Sequence, residues 1–223
     1  MVRLRKAASG AALIVLGMTT GCAGLLSFQS ARPLPAGTFQ VALEPSYLVS
    51  RAKTSGETQL LPALSVRYGA TRRLEVGARA GLGIRPELMA KLSLQDAPPH
   101  RAAVAVATTL GAWWYDGSGT RNIRVYSQPA LLLSLPTGRR TELTIGEKLD
   151  VTWARDVDTG AWGIAFTPAI SLGWALRPAS WFAVMPEVVM GYSLLHVGTG
   201  GPVVGGGFLL QGGIGLLFGG QPR

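Results

Sequence analysis

The stretch Trp162 to Leu176, WGIAFTPAISLGWAL, alternates without a break. One parity holds Trp162, Ile164, Phe166, Pro168, Ile170, Leu172, Trp174 and Leu176, and the other Gly163, Ala165, Thr167, Ala169, Ser171, Gly173 and Ala175. A period of two is a β-strand signal, and strands of soluble domains usually run only about five or six residues. All the bulk lies on one face, and neither face is charged. Large apolar groups on one side with small residues on the other suit a strand whose outer surface meets lipid and whose inner surface lines a narrow barrel.

Composition points the same way. The 223 residues are 48% hydrophobic and 15% charged and include 30 glycines, too apolar and too glycine-rich for an ordinary soluble enzyme of this length. The chain contains no apolar run of the about eighteen residues that a membrane helix needs. Strands must therefore carry any crossing, because only helices and closed barrels satisfy their backbone groups in lipid.

Residues 1–21 read as an export signal, with Arg3, Arg5 and Lys6 ahead of an apolar stretch from Ala7 to Met18 that is too short to span a bilayer. The stretch ends Thr19-Thr20-Gly21-Cys22, and Cys22 is the only cysteine. A lone thiol in an oxidising compartment asks for a role. Removing the three basic residues of the signal lowers the formal charge from +9 to +6. The remaining Lys and Arg are scattered, without the basic clusters and interleaved aromatics of a nucleic-acid surface, so no nucleic-acid partner is expected.

Residues 22–36, including AGLLSFQSARPLPA, lack a sustained period and carry Pro33 and Pro35; they read as a periplasmic tether. Residues 37–219 hold about ten alternating strands, eight or twelve being the alternatives, which predicts an all-β, closed, antiparallel up-and-down transmembrane barrel. The inward parity collects charges of both signs: Glu44, Arg67, Glu75, Arg79, Lys91, Arg124, Lys148, Asp150 and Glu187. Glu147 falls on the lipid parity, which predicts a bulge or an error of register there.

Three patterns support closure. An even strand number puts both termini on one side, here the periplasmic one. Aromatic residues sort into two levels, with Phe39, Tyr68, Trp174, Trp181 and Phe218 at the periplasmic end and Tyr47, Trp114, Trp153, Trp162 and Tyr192 at the outer end, as girdles at the two interfaces require. Tyr126 shares the outer level, although its parity also points inward. Pro45, Pro62, Pro129, Pro168 and Pro186 all fall on the outward parity and read as a ring near mid-membrane. The turns assigned to the periplasm carry Arg72, Arg73, His100, Arg101, Arg139, Arg140 and Arg177, suited to anionic lipid heads.

On these patterns the chain resembles the small outer-membrane β-barrel proteins of Gram-negative bacteria, the OmpA-type and OmpW-type barrels. Around Cys22 it resembles a lipoprotein signal, with Gly21 matching and Thr19 standing where leucine is usual. The resemblance implies acylation of Cys22, outer-membrane lipids and the barrel assembly machinery as partners, and no cofactor or metal. A departure lies at the end, where GGQPR follows Phe218 in place of a terminal aromatic.

Enzymatic sites are weakly supported. Asp156, Asp158 and His196 sit toward the outer rim, where the resembling outer-membrane proteases hold Asp-His and Asp-Asp pairs, but DVDTG is also what a hairpin loop needs. Ser193 and His196 differ by three, so on a strand they face opposite sides, against a hydrolytic triad. The expected function is a structural or surface role with a charged, largely plugged lumen. A narrow solute or ion channel is the alternative, and a hydrolase the more distant one.

Overall fold

The computed structural model describes residues 25–221 apart from 52–55, 82–84, 96–97, 99, 118–119, 200–202 and 205–206. Among them run β1 (Phe39–Glu44), β2 (Ser46–Arg51), β3 (Gly56–Leu60), β4 (Ala63–Gly69), β5 (Leu74–Gly81), β6 (Arg85–Ser93) and β7 (Ala103–Gly117). They continue with β8 (Thr120–Pro136), β9 (Thr141–Asp156), β10 (Trp162–Ala179), β11 (Phe182–Tyr192), β12 (Leu195–Gly198), β13 (Val203–Val204) and β14 (Phe208–Gly219). Every pairing is antiparallel, and β1 and β2 close the wall against β14. The pairs β1/β2, β3/β4, β11/β12 and β13/β14 each fill one place, so the fourteen segments make a closed barrel of ten strands.

Alternation dictates this outcome residue by residue. In β9 every even-numbered residue from Glu142 to Asp156 is buried and every odd one is at least partly exposed. A one-residue slip would turn Lys148 and Asp150 into lipid, so the register is strongly fixed. Arg85 and Pro86 open β6, with Pro86 opposite Ala80. Proline is tolerated at the start of a strand, where the ladder loses least.

The five prolines explain where the ladder breaks. Pro45 separates β1 from β2 and Pro62 lies between β3 and β4, while β8·β9 skips Gln128–Pro129 and β10·β11 skips the place of Pro186. Beside Pro168, the register of β10 changes by one residue on passing from β11 to β12. A residue with no N–H cannot donate to its neighbour, so each interruption coincides with a missing donor. The prolines fall into two rows across the strands, Pro62, Pro45 and Pro186 in one and Pro129 and Pro168 in the other. Ile214 stands between Pro45 and Pro186, and Leu149 between Pro168 and the place of Pro129.

The core is the lumen, and the largest difference from the sequence reading lies there. Leu25, Leu26, Phe28, Ala31 and Leu34, expected in a tether outside the barrel, are at most 1% exposed. Leu25, Leu26 and Phe28 pack inside against Leu48, Ala169, Met185, Val189, Leu209 and Leu217 from the wall, and Ala31 against Ala103, Ala105 and Leu132. Residues 25–34 form a strap inside the barrel, kinked at Phe28 (φ +46°), and the chain turns at Gly37 (φ +79°) into β1. Chain without a period need not be free chain: its backbone groups can be satisfied by side chains instead of a ladder. Residues 1–21 and Cys22 lie outside the described residues.

Candidate functional site: the strapped lumen

The strap is held by its main chain. The Gln211 side-chain oxygen accepts from Leu25 N at 2.7 Å, and Glu187 accepts from Ser27 N at 3.1 Å and Phe28 N at 2.5 Å. Ser134 Oγ accepts from Ala31 N at 2.8 Å and Glu75 from Leu34 N at 3.0 Å. Cations take the carbonyls: Lys148 donates to Leu25 O, Arg79 to Leu26 O, Arg67 to Ser27 O and Phe28 O, and Lys91 to Ser30 O and Arg32 O. Charge-assisted bonds of this kind are stronger than neutral ones. Only a few strap side chains join in, chiefly Arg32, whose Nε meets Glu142 at 2.7 Å, and Ser30, which also donates to Glu142.

The wall ions also pair with one another. Glu44 meets Arg67 at 3.1 Å and Arg79 at 2.8 Å, and Arg79 reaches Glu87 at 3.3 Å. Lys91 pairs with Glu75 at 2.8 Å and Lys148 with Glu187 at 2.7 Å. Asp150 accepts from Gln128 and Thr152. Arg124 stacks its guanidinium 5.2 Å from the ring centre of Trp113, which Arg85 covers at 4.3 Å. The nine ions singled out in the sequence are thus all buried on the inward face. Burial on this scale is tolerable only because each charge has partners, since removing one would leave another stranded.

Sequence reasoning missed Glu87, Glu142 and Gln211, although each lies on its strand's inward parity, and it missed the strap altogether. Tyr126 belongs inside: it is 1% exposed, donates to Glu87 at 2.7 Å and packs edge-on to Trp113. Gly111 makes room for it, since a Cβ there would come 2.2 Å from the phenol ring. Glu147 does face outward, but the expected bulge is absent, because β9 and β10 stay in one register from Trp162↔Arg155 to Leu176↔Thr141. Among the described residues a void of about 20 Å³, room for a water or so, lies beside Phe28, Ser30 and Leu34, and an open pocket of about 530 Å³ lies beside Arg32, Pro33, Leu34 and Pro35 where the strap nears β1.

The carboxylates of the β9–β10 turn do turn chemistry. Asp156 accepts from the backbone N–H groups of Asp158 and Thr159, and Asp158 pairs with Arg121 at 2.6 Å. At the other end the tail bends back, with Gln221 buried and Gln40 donating to Gly220 O at 2.9 Å.

The outer surface is the reverse of the lumen. Phe39, Trp174, Trp181 and Phe218 at one end and Tyr47, Trp114, Trp162 and Tyr192 at the other are exposed, with Tyr68 and Trp153 half-buried. Between these levels lie Val66, Leu88, Leu110, Leu131, Ile170 and Ile214, a continuous apolar belt that water would not tolerate on a soluble monomer. Apolar outside, ionic inside and closed, this is the outer-membrane β-barrel fold. No family model matches the chain, and no curated protein matches it. Among solved structures it is similar to Neisserial surface protein A at 10% identity, covering 82% of this chain and 98% of that one with a TM-score of 0.46. An outer membrane channel from Pseudomonas putida F1 gives 11% identity, 87% and 99% coverage and 0.46. The outer membrane protease OmpT from Escherichia coli gives 9%, 86% and 100%, and 0.42.

Proposed function

We propose that this barrel is an integral outer-membrane protein with a structural or surface role, its lumen closed by its own amino-terminal strap. The observation that carries this reading is the strap's main chain, gripped from Leu25 to Leu34 by side chains of both signs. A path for solute would have to displace those bonds. Single-channel recording of the full-length protein in a planar bilayer tests it: no steady current is expected. A steady conductance that changes with Arg79→Ala would instead assign a narrow channel, the second reading.

Acylation of Cys22 and a seated strap make opposite demands. Leu25 is held at the level of Gln211, seven residues up β14 from Phe218, about 18 Å above the girdle at that end for strands tilted as in small barrels. The three residues from Leu25 back to Cys22 span at most about 11 Å. A lipid on Cys22 sunk in the periplasmic leaflet and a strap in the lumen therefore exclude one another in one molecule, if the strand ends are oriented as the girdle and turn charges suggest. Mass spectrometry of the amino-terminal peptide, with proteolysis of the strap in the same sample, separates the two forms.

A further inference from the structure

Glu147 is the carboxyl that the lumen does not use. It projects from the lipid-facing side of β9, between Leu131 of β8 and Ile170 of β10, and makes no hydrogen bond or ion pair to any other described residue. Leu143, four residues nearer the Arg139-Arg140 turn, lies opposite the girdle residue Trp174. Four residues of a tilted strand climb about 10 Å, so Glu147 sits well inside the hydrocarbon band. An ionisable group at such depth is expensive and marks a contact, not a surface ornament.

The wall around it is hollowed. A shallow groove of about 840 Å³ crosses the outer face, lined near Glu147 by Pro129, Leu131, Leu149, Pro168 and Ile170. Proline carries no long side chain, so a second wall can approach closely there, the way small residues act between membrane helices. Among the described residues, outward arginines lie at turns or strand ends (Arg72, Arg73, Arg101, Arg121, Arg139, Arg140, Arg155), none near Glu147. A lipid amine rides at the headgroup level and does not reach about 10 Å into the acyl region.

We propose that this groove is the interface of a homodimer in which Glu147 of each copy meets Glu147 of the other. Two barrels inserted in the same sense can share a twofold axis only along the membrane normal. That axis brings each residue near it against its own copy at the same depth. A carboxyl group suits this symmetry, because two of them can each donate one hydrogen bond and accept one. The pair satisfies in lipid the group that the monomer leaves bare, and the axis sets Leu131 of one copy against Ile170 of the other.

The test needs a thiol at one place. In a Cys22→Ser background, Glu147→Cys in outer-membrane vesicles should form a disulfide-linked dimer on mild oxidation, while Val76→Cys on β5, across the barrel, should not. Sedimentation in detergent should give a dimer mass for the unsubstituted chain. Glu147→Gln, whose amide also donates and accepts, should keep the dimer, and Glu147→Lys should weaken association by more than about tenfold through like-charge repulsion. Heat-modifiable migration on gels confirms that each variant is folded. A monomeric mass for the unsubstituted chain, equal cross-linking at positions 76 and 147, or a cross-link at 147 to a different protein would overturn the proposal.

Discussion

The two sides of the lumen hold the strap by opposite means. Along β1, β4, β5 and β6 the wall carries Glu44, Arg67, Glu75, Arg79, Glu87 and Lys91, long side chains that cross the interior and bond the strap's carbonyls and one of its amides. Along β10, β11 and β14 it carries glycine, alanine, Thr167 and Ser171 beside Met185, Val189, Leu209 and Leu217, with Glu187 and Gln211 anchoring the strap's amides. Gly215 shows the purpose of the small wall: a Cβ there would come 2.9 Å from Phe28 Cβ. The charged wall is already paired within itself and would be chemically tolerable in a hollow barrel. The glycine wall has a shape that makes sense only when something lies against it.

Deleting residues 25–34 should separate the walls most sharply. The ion pairs of β4–β6 can persist in water, whereas the small wall is left lining an opening, and the recording should change from no steady current to a sustained one. A closed lumen in that variant would mean that wall side chains, not the strap, make the seal. Glu187→Ala comes next. It strands Lys148, whose other partners are Leu25 O and Ser27 Oγ, and should cost about 3–5 kcal/mol in denaturant unfolding of the reconstituted protein. Unchanged stability there would show that Lys148 does not depend on the pair.

Gly215→Val tests shape with no change of charge. The added atoms press on Phe28 and should cost about 1–3 kcal/mol, with protease sensitivity appearing in the strap before the barrel unfolds. Equal protection of the strap in the variant and the parent would deny that the small wall fits it. The smallest effect is expected outside both walls. Asp158, in the exposed turn between β9 and β10, is held below the usual carboxylate range by hydrogen bonds from the Arg121 side chain and backbone. A depressed carboxyl contributes its stability above its unfolded value and loses it as pH falls through its folded one. Asp158→Asn should therefore cost slightly near neutral pH and nothing in strong acid, as read by thermal melts across that range. A large effect would make this turn more important to the lumen than its exposure suggests.

The charged wall was legible in the sequence and the strap was not, for one physical reason. Wall strands satisfy their backbones by a ladder, and a ladder imposes a period of two that Lys148, Asp150 and their neighbours display. The strap's donors and acceptors go to Glu187, Gln211, Arg67 and Lys148, scattered over the chain, and such bonds impose no period on residues 25–36. Tyr126 was ambiguous because its depth matched a girdle while its parity matched the lumen, and parity decided. Glu147 was suspected as a bulge because a lipid-facing carboxyl looked like an error of register; the unbroken pairing of β9 with β10 shows that it is a property of the surface.

The strap is the first part of the described chain to be made and among the last that can be placed. Its anchors Glu187 and Gln211 follow Phe28 by 159 residues and Leu25 by 186. Contacts of such sequence separation form late, because the closure entropy must be met before they return anything. The segment cannot complete its bonds until β11 and β14 exist, and it must be inside before β1 and β2 join β14 to complete the wall. Closure of the seam and seating of the strap are therefore one coupled step of assembly, and a barrel that closes early shuts its own plug out.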